Sequence, residues 1–322
     1  MKTRLNSLRL PVLLVSAALL CPAGLRAQTL NADAGRQREM AVTIDDLPLN
    51  GPSAGPSRLR EMTDKLLSGV KSHQIPAVGF VNESLLYVAG ETDARIALLK
   101  AWSDAGVELG NHTFSHLGFK GTPLALYEDD FVRGDALTKM LMNQKGQKPR
   151  YFRHPFLQTG DTRELEQSFE DFIAERGYRV APVTVDTMDW MFLAAYAKAR
   201  ARGDAAALKK VSDEYLKFAG LKVDFCEKVS EELFGRNVRH ILLLHANELN
   251  ADNFDALVGV FKGRGYGFVS LERALADPVY RQPDKYLDTS DWLGRWSFSK
   301  GRKFDSPAPP EFIQKAYSEG QR

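Results

Sequence analysis

The sequence predicts an α/β protein, an irregular (β/α)7 barrel with a helical insertion between strands 5 and 6 and a C-terminal extension. Seven short apolar runs are bounded by turn residues, which is typical of strands buried on both faces. Segments with apolar residues at helical spacing lie between them. This alternation favours right-handed βαβ units around a parallel sheet, and the number of repeats favours a closed or nearly closed barrel. An open doubly wound sheet also fits the pattern.

The predicted strands share a mostly apolar run that ends close to polar or turn residues. They are Met40–Ile44, Ala77–Asn82, Val107–Asn111, Tyr151–Phe156, Arg179–Asp186, Ile241–Ala246 and Gly267–Leu271. The predicted helices share apolar residues three or four positions apart, which places these residues on one helix face. These residues are Leu59, Met62, Leu66, Leu67 and Val70; Ile96, Leu98, Leu99 and Trp102; Phe131, Leu137 and Met140; Leu165, Phe169, Phe172 and Ile173; and Phe254, Leu257, Val260 and Phe261.

Residues 1–27 have the pattern of a secretory signal peptide. Three basic residues lie among the first nine, an apolar run extends from Leu10 to Leu20, and Ala27 is a small residue before a cleavage point. The run is too short to span a bilayer. We therefore expect export to the periplasm or the extracellular space, with no transmembrane span in the mature chain. A retained N-terminal anchor or lipoprotein processing at Cys21 is the alternative, and Leu20 is bulkier than lipoprotein cleavage usually accepts.

Without residues 1–27 the net charge changes from +2 to −2, because that segment carries four basic and no acidic side chains. A balanced charge argues against a nucleic-acid partner. Cys226 is then the remaining cysteine, which excludes an internal disulfide. After a linker at 28–37, we expect a barrel at 38–276 and an extension at 277–322. The sequence leaves the oligomeric state undefined.

Asp45, Asp46, His112 and His116 together favour a metal site. Two histidines and one carboxylate supply donors that zinc prefers, and a catalytic zinc site leaves one position open for water. The four-residue spacing of the histidines predicts that both imidazoles lie on one face of a helical turn. The second aspartate is then available to act on bound water. The alternative is a chance HxxxH pattern beside an aspartate pair that caps a helix.

The polar residues of interest all lie at or after the ends of predicted strands. They are Asp45 and Asp46, His112, Arg153 to Phe156, Asp186 to Trp190, and His245. The carboxyl ends of parallel strands meet at one edge, where α/β proteins place their chemistry. Because scattered surface residues have no reason to collect there, this placement favours the metal site over the chance pattern.

Two segments are additional to the predicted strand–helix repeats of the barrel. The insertion at 191–237 is helical in pattern and rich in Ala, Lys and Glu, and it either shapes a substrate groove or packs against the barrel. The extension carries several aromatic residues, which either stack on sugar rings or attach the extension to the domain. These aromatic residues are Tyr280, Tyr286, Trp292, Trp296 and Phe298.

Over residues 38–275 the chain resembles the polysaccharide deacetylases of the NodB homology type, carbohydrate esterase family 4. Five motifs carry the resemblance and occur in the family's order. They are TIDD at 43–46, NHTFSH at 111–116, FRHPF at 152–156, DTMDW at 186–190 and LLLH at 242–245.

The resemblance implies a role for each matching residue. Asp45 would be the catalytic base and His245 the general acid. Asp46, His112 and His116 would bind a divalent metal, most simply zinc, with cobalt, nickel or iron as alternatives. Arg153 would orient the base, Asp189 would support His245, the Phe156 backbone N–H would bind the oxyanion, and Trp190 would line the pocket.

The sequence departs from the family pattern at three positions. His154 replaces a proline, Phe156 replaces a tyrosine, and Leu47 replaces a glycine. The change at Phe156 touches an implied role, but a backbone donor survives it. His154 is either a further metal ligand or a packing residue, and a histidine between Arg153 and Pro155 favours packing.

The resemblance therefore implies metal-dependent removal of acetyl groups from acetamides of an N-acetylhexosamine polymer, such as peptidoglycan, exopolysaccharide or chitin oligomers. The alternatives are an O-acetyl esterase, an amidase for small cyclic amides, which the export signal disfavours, and a catalytically silent carbohydrate-binding module. The retained base, ligands and acid argue against the silent module.

Overall fold

The computed structural model describes residues 38–51, 55–287 and 290–320 and is organised around strand β1 (Arg38–Leu47). Nine of the ten β1 residues are buried, which is characteristic of a parallel strand covered on both faces. Strand β7 pairs along β1 from Met40 to Asp45, and β2 pairs along its second half. The predicted signal peptide and linker lie outside the described residues.

All strand pairs in the described part of the chain are parallel, in the order β5-β4-β3-β2-β1-β7-β6, with β8 also paired to β1. The other strands are β2 (Val78–Val81), β3 (Glu108–Asn111), β4 (Tyr151–Phe152), β5 (Arg179–Val180), β6 (Val185–Asp186), β7 (His240–His245) and β8 (Tyr266–Phe268). The helices are α1 (Pro56–Ser72), α2 (Thr92–Asp104), α3 (Leu124–Arg133), α4 (Ala136–Gln144), α5 (Arg163–Ala174), α6 (Asp189–Ala201), α7 (Ala205–Phe234), α8 (Glu248–Lys262), α9 (Leu271–Leu275), α10 (Trp292–Ser299) and α11 (Glu311–Gly320). Short 3-10 turns occur at Glu83–Leu86, Pro155–Leu157 and Pro278–Arg281.

The sheet curls into an irregular barrel, which confirms the predicted fold class. Strands β5 and β6 lie at opposite ends of the strand order, yet only residues 181–184 separate them along the chain. A flat sheet of seven strands would be about 29 Å wide at the usual strand spacing. The connection from Val180 to Val185 spans at most about 18 Å when fully extended. The sheet must therefore curve so that its two ends approach each other.

The predicted fifth strand, Arg179–Asp186, is wrong as a single element. It forms two short strands, β5 and β6, which pair with β4 and β7 respectively. Pro182 lies between them and has no N–H to donate to a strand ladder, so continuous pairing through this segment is disfavoured. The segment instead connects β5 and β6, the two end strands of the curled sheet.

Smaller differences affect the ends of other elements. The last predicted strand, Gly267–Leu271, is shifted, since β8 is Tyr266–Phe268 and Leu271 begins α9. The pattern at Phe131, Leu137 and Met140 belongs to two helices, α3 and α4. The insertion is helical as expected, and α7 is its longest element, with 30 residues. Within the described residues no helix is long and apolar enough to cross a membrane.

Gly110 in β3 shows how tightly the sheet packs beside its rim, the edge at which the carboxyl ends of the strands meet. A Cβ atom at this position would lie 2.7 Å from the Phe80 ring and 2.9 Å from the Tyr151 carbonyl oxygen. The Phe80 ring also contacts His112 and the Arg153 guanidinium. The absence of a side chain at Gly110 therefore lets β3 lie against the layer that supports the rim.

We expect Gly110→Ala to lower the free energy of unfolding by about 1–3 kcal/mol, because the added methyl group overpacks the core. The matched control is Gly259→Ala on the exposed face of α8, where an added Cβ meets nothing within 4 Å. That change should be neutral or stabilising by up to about 1 kcal/mol, because alanine favours helix. Denaturant unfolding measures both variants, and equal effects would contradict the packing argument.

Candidate metal and catalytic site

The end of β1 places two adjacent carboxylates in one cavity. Successive side chains of a strand normally point to opposite faces, so Asp45 and Asp46 should diverge. Asp46, however, has φ 61°, and the pairing register with β2 shifts between Ile44 and Leu47. This irregularity redirects the Asp46 side chain. Carboxylate oxygens of Asp45 and Asp46 lie 3.7 and 3.5 Å from His112 Nε2.

The HxxxH segment is a loop, so the predicted helical turn is wrong. His112 directly follows β3, and Thr113 and His116 both have positive φ, at 62° and 59°. Hydrogen bonds to side chains hold the loop: the Thr113 N–H donates to Asn111 Oδ1 and the Leu117 N–H to Thr113 Oγ1. The imidazoles still converge, with ring centroids 5.0 Å apart.

Asp46, His112 and His116 form a group that could bind a divalent metal. Asp46 Oδ1 lies 3.5 Å from His112 Nε2 and 3.4 Å from His116 Nε2. Two ligands of a tetrahedral ion at bond lengths of about 2.1 Å lie about 3.4 Å apart, so these spacings fit a zinc-like ion. Asp46 Oδ1 is also buried without a hydrogen-bond partner, which is costly unless a cation binds it.

The protonation of the histidines suits metal binding. His112 Nδ1 lies 2.7 Å from the Arg153 carbonyl oxygen, which can only accept, so Nδ1 carries the hydrogen and Nε2 keeps its lone pair. Burial, with the neighbouring His116, lowers the pKa of His112 well below its ordinary value. Burial likewise lowers the pKa of His116. Both rings are therefore neutral at neutral pH, as metal ligation requires.

Arg153 positions Asp45. The guanidinium is fully buried; Nη1 donates to Asp45 Oδ2 at 3.2 Å, and Nη2 donates to Thr43 Oγ1 at 3.0 Å. Its Nε donates to the Ala181 carbonyl oxygen, in the segment that connects β5 and β6, at 2.6 Å. Burial raises the pKa of Asp45 to about 6, although the charge of Arg153 opposes the rise. Asp45 is therefore ionised near neutral pH and still basic enough to accept a proton.

His245 and Asp189 form a hydrogen-bonded pair at the end of β7. His245 Nδ1 lies 2.8 Å from Asp189 Oδ1, and Asp189 is fully buried. Burial alone would lower the pKa of His245, but Asp189, helped by Asp46 and Asp45, raises it to about 10. His245 is consequently protonated at neutral pH, with Nδ1 held by Asp189 and Nε2 left to act as a donor.

The site opens into a pocket of about 1110 Å³. Trp190, in the first turn of α6, lines it. Phe156 also lines it, with its ring 4.5 Å from the His116 ring and 55% exposed. All nine residues named for the site from the sequence therefore lie together, seven of them as pocket-lining groups or metal-site residues and two, Arg153 and Asp189, behind them.

His154 is placed as a packing residue. It is buried, its Nδ1 lies 2.9 Å from the Tyr127 hydroxyl, and its ring is nearly parallel to that of Tyr127. Burial lowers the pKa of His154 to about 3, so the ring is neutral. The group that could hold a metal consists of Asp46, His112 and His116. This favours packing over ligation for His154.

Several supporting residues were missed by the sequence analysis. Asn50 donates to Asp46 Oδ2 at 2.6 Å, Asn247 donates to Asp189 Oδ2 at 2.8 Å, and Asn250 also donates to Asp189. A sequence signal exists for Thr43, which lies two residues before Asp45 and so on the same strand face. The asparagines follow strand ends but carry no spacing that assigns them to a partner.

The insertion and the extension supply much of the pocket wall. Leu193 and Lys198 of α6, Lys222 of α7, and Ser306 and Tyr317 of the extension all line it. Lys222 is buried, and its Nζ donates to Ser306 Oγ at 3.0 Å. Both segments also pack on the core, since Tyr215, Phe218 and Trp296 are buried in it. They therefore both shape the pocket and pack against the barrel.

Comparison with known proteins finds a family match for part of the chain and solved structures of similar fold. Residues 32–170 match the polysaccharide deacetylase family. The sequence has no match among curated proteins. A pseudoenzyme of carbohydrate esterase family 4 from Bacillus anthracis is 18% identical over 74% of this chain and 66% of that chain, with a TM-score of 0.51. A mutant of that protein with restored enzymatic activity is 20% identical over 74% of this chain and 68% of that chain, also with a TM-score of 0.51.

A family 4 carbohydrate esterase from Streptomyces lividans in complex with acetate is 18% identical over 74% of this chain and 96% of that chain, with a TM-score of 0.46. The Bacillus anthracis structures share the fold of this chain, and the sequence match covers β1, β3 and β4, which carry the metal group and Arg153. The polysaccharide deacetylase match therefore falls on the part of the chain that holds Asp46, His112 and His116.

Proposed function

We propose that the protein is a metal-dependent N-deacetylase of N-acetylhexosamine-containing polysaccharide, such as peptidoglycan, exopolysaccharide or chitin oligomers, and that it releases acetate. One observation carries the proposal: a buried carboxylate with a pKa of about 6 and a histidine with a pKa of about 10 flank the same candidate metal group. Two titratable groups whose pKa values are driven apart in this way are suited to act as base and acid.

The residues divide the reaction between them. A bound divalent ion, most simply zinc and alternatively cobalt, nickel or iron, would polarise the acyl oxygen and acidify a water molecule. Asp45 accepts the proton of the attacking water, and Arg153 holds Asp45 in place. The Phe156 backbone N–H donates to the developing oxyanion, an interaction whose loss typically costs about 3–4 kcal/mol. His245 Nε2 then protonates the leaving nitrogen, while Asp189 fixes the ring through Nδ1.

An O-acetyl esterase is the alternative activity of the same site. An amine must be protonated to leave as a neutral group, whereas an alkoxide needs less assistance, so the protonated His245 supports amide cleavage. A catalytically silent binding module is the other alternative, since the Bacillus anthracis relative is a pseudoenzyme. In this chain Arg153 binds Asp45, and Asp189 binds His245. Asp46, His112 and His116 lie close enough together to ligate one ion. These retained arrangements support turnover.

We also propose that the protein is exported, because residues 1–27 have the pattern of a signal peptide. A periplasmic or extracellular location suits a polymeric glycan substrate. Comparing the N-terminus and the compartment of the full-length and Δ1–27 forms after expression tests this, and cytoplasmic retention of the uncleaved full-length chain would contradict it.

We expect zinc-reconstituted protein to release acetate from an N-acetylhexosamine polymer or oligomer, detected as loss of acetyl mass in a panel of acetylated glycans. Asp45→Asn should reduce the rate by at least about 100-fold, because the proton acceptor is lost. Asp64→Asn, the same change on the exposed surface of α1, should leave the rate unchanged. Release of acetate by Asp45→Asn at the wild-type rate would refute Asp45 as the base.

We expect Asp189→Asn to move the alkaline limb of the pH–rate profile to lower pH by about 1–3 units. His245 must be protonated to act as the acid, and Asp189 raises the pKa of His245 to about 10, so removing the carboxylate lets His245 lose its proton at lower pH. Thermal unfolding of the variant serves as the control, because Asn247 and Asn250 also bind Asp189. An unmoved alkaline limb in a folded variant would exclude His245 as the acid.

We expect the metal-stripped protein to bind one zinc ion and His116→Ala to weaken that binding by at least about 100-fold, more than loss of a supporting outer hydrogen bond usually costs. His73→Ala is the matched control, because His73 pairs with Asp255 at the protein surface. Calorimetric titration measures both variants. Equal zinc affinity in His116→Ala and His73→Ala would show that zinc binds elsewhere.

A further inference from the structure

The last helix of the chain forms part of the candidate substrate pocket. Ala316, Tyr317, Glu319 and Gly320 of α11 line it on the side formed by α6. The helix lies outside the five motifs and outside residues 32–170, which match the family. The pocket wall is therefore partly built by a segment that the family match does not include.

Side chains along α11 fix it in this position. Ile313 is fully buried in the main core. Glu319 forms an ion pair with Lys198 of α6 at 2.7 Å, and Lys210 of α7 lies 4.6 Å from the centre of the Phe312 ring. The first turn of α11 is therefore held by the core and α7, and its last turn by α6.

Tyr317 meets Trp190 inside this wall. The two ring centroids are 5.0 Å apart and the ring planes are inclined by 71°, so the rings meet edge to face. In such a pair the ring that contributes its edge keeps both of its faces clear of the partner. Both residues are partly exposed and line the pocket. At least one face of each ring, Trp190 and Tyr317, is thus clear of the other ring at this wall of the pocket.

We propose that Tyr317 is a substrate-binding residue that, together with Trp190, packs against the C–H face of a pyranose ring and sets the affinity for the glycan. The inference rests on the proposed function for the identity of the substrate. A pyranose ring presents an apolar C–H face, and pockets use aromatic walls for such surfaces while a few polar groups fix orientation. The α6–α11 wall provides this surface, and the carboxylates and histidines provide the polar groups.

Tyr317 should affect binding and leave the chemical step intact. It forms none of the contacts that hold Asp45, His245 or the metal group. An interaction made equally with bound substrate and transition state changes KM and leaves kcat unchanged. The expected signature is therefore a split between the two constants.

The test uses the chain without residues 1–27, reconstituted with zinc, and N-acetylglucosamine oligomers of two to six sugars. We expect Tyr317→Ala to raise KM by roughly five- to tenfold with kcat within about twofold of wild type. Tyr317→Phe should restore the wild-type KM, because it keeps the ring. The matched control is Phe298→Ala, which removes a partly exposed aromatic ring of the same extension that stacks on Tyr286 and does not line the pocket.

Direct calorimetric binding of the same oligomers to the Asp45→Asn background separates this inference from the proposed function. Binding that is weakened by Tyr317→Ala, without acetate release by wild type, would support the inference and reject the deacetylase function. If wild type releases acetate, and Tyr317→Ala has the same KM and the same oligomer affinity as wild type, the inference alone would be overturned. A wild-type protein that neither binds nor deacetylates these oligomers would overturn both.

Discussion

The site depends on a break in strand alternation at the end of β1. A regular strand would send Asp45 into the cavity and Asp46 away from it, which would separate the proposed base from the proposed metal ligand. The positive φ of Asp46 and the register shift against β2 bring both carboxylates to His112. Irregular strand ends of this kind are common next to active sites, because they re-aim one side chain without disturbing the rest of the sheet.

Positive φ angles at non-glycine residues recur around the rim. In the described part of the chain, six of the seven non-glycine residues with positive φ lie in rim segments: Asp46, Thr113, His116, Phe156, Leu157 and Met188. Each such residue costs roughly 1–3 kcal/mol and persists because the surrounding structure holds it. The hydrogen bonds of the HxxxH loop and the packing of Phe156 on His116 are examples of that restraint. Stability is thus exchanged for the placement of a few side chains.

Much of the fold and of the candidate site was predictable from the sequence, because both depend on local patterns. Apolar runs located most of the strands, and the order of strands and helices implied that polar residues after strand ends meet at one rim. Asp46, His112 and His116 illustrate this, since their convergence follows from parallel topology. The split at Pro182 and the loop at His116 were missed because they depend on backbone conformations that tertiary contacts impose. Tyr317 was missed because nothing near it in the sequence points to Trp190, which lies 127 positions earlier.

Arg153 joins parts of the molecule that are otherwise separate. Its carbonyl oxygen accepts from His112, and its guanidinium holds Asp45. Its Nε donates to the Ala181 carbonyl oxygen in the connection between the two end strands of the sheet. A local opening at residues 181–184 would disturb Arg153, and with it both the tautomer of His112, a proposed metal ligand, and the orientation of Asp45, the proposed base. The stability of this connection and the geometry of the candidate site are therefore linked through the side chain and the carbonyl group of Arg153.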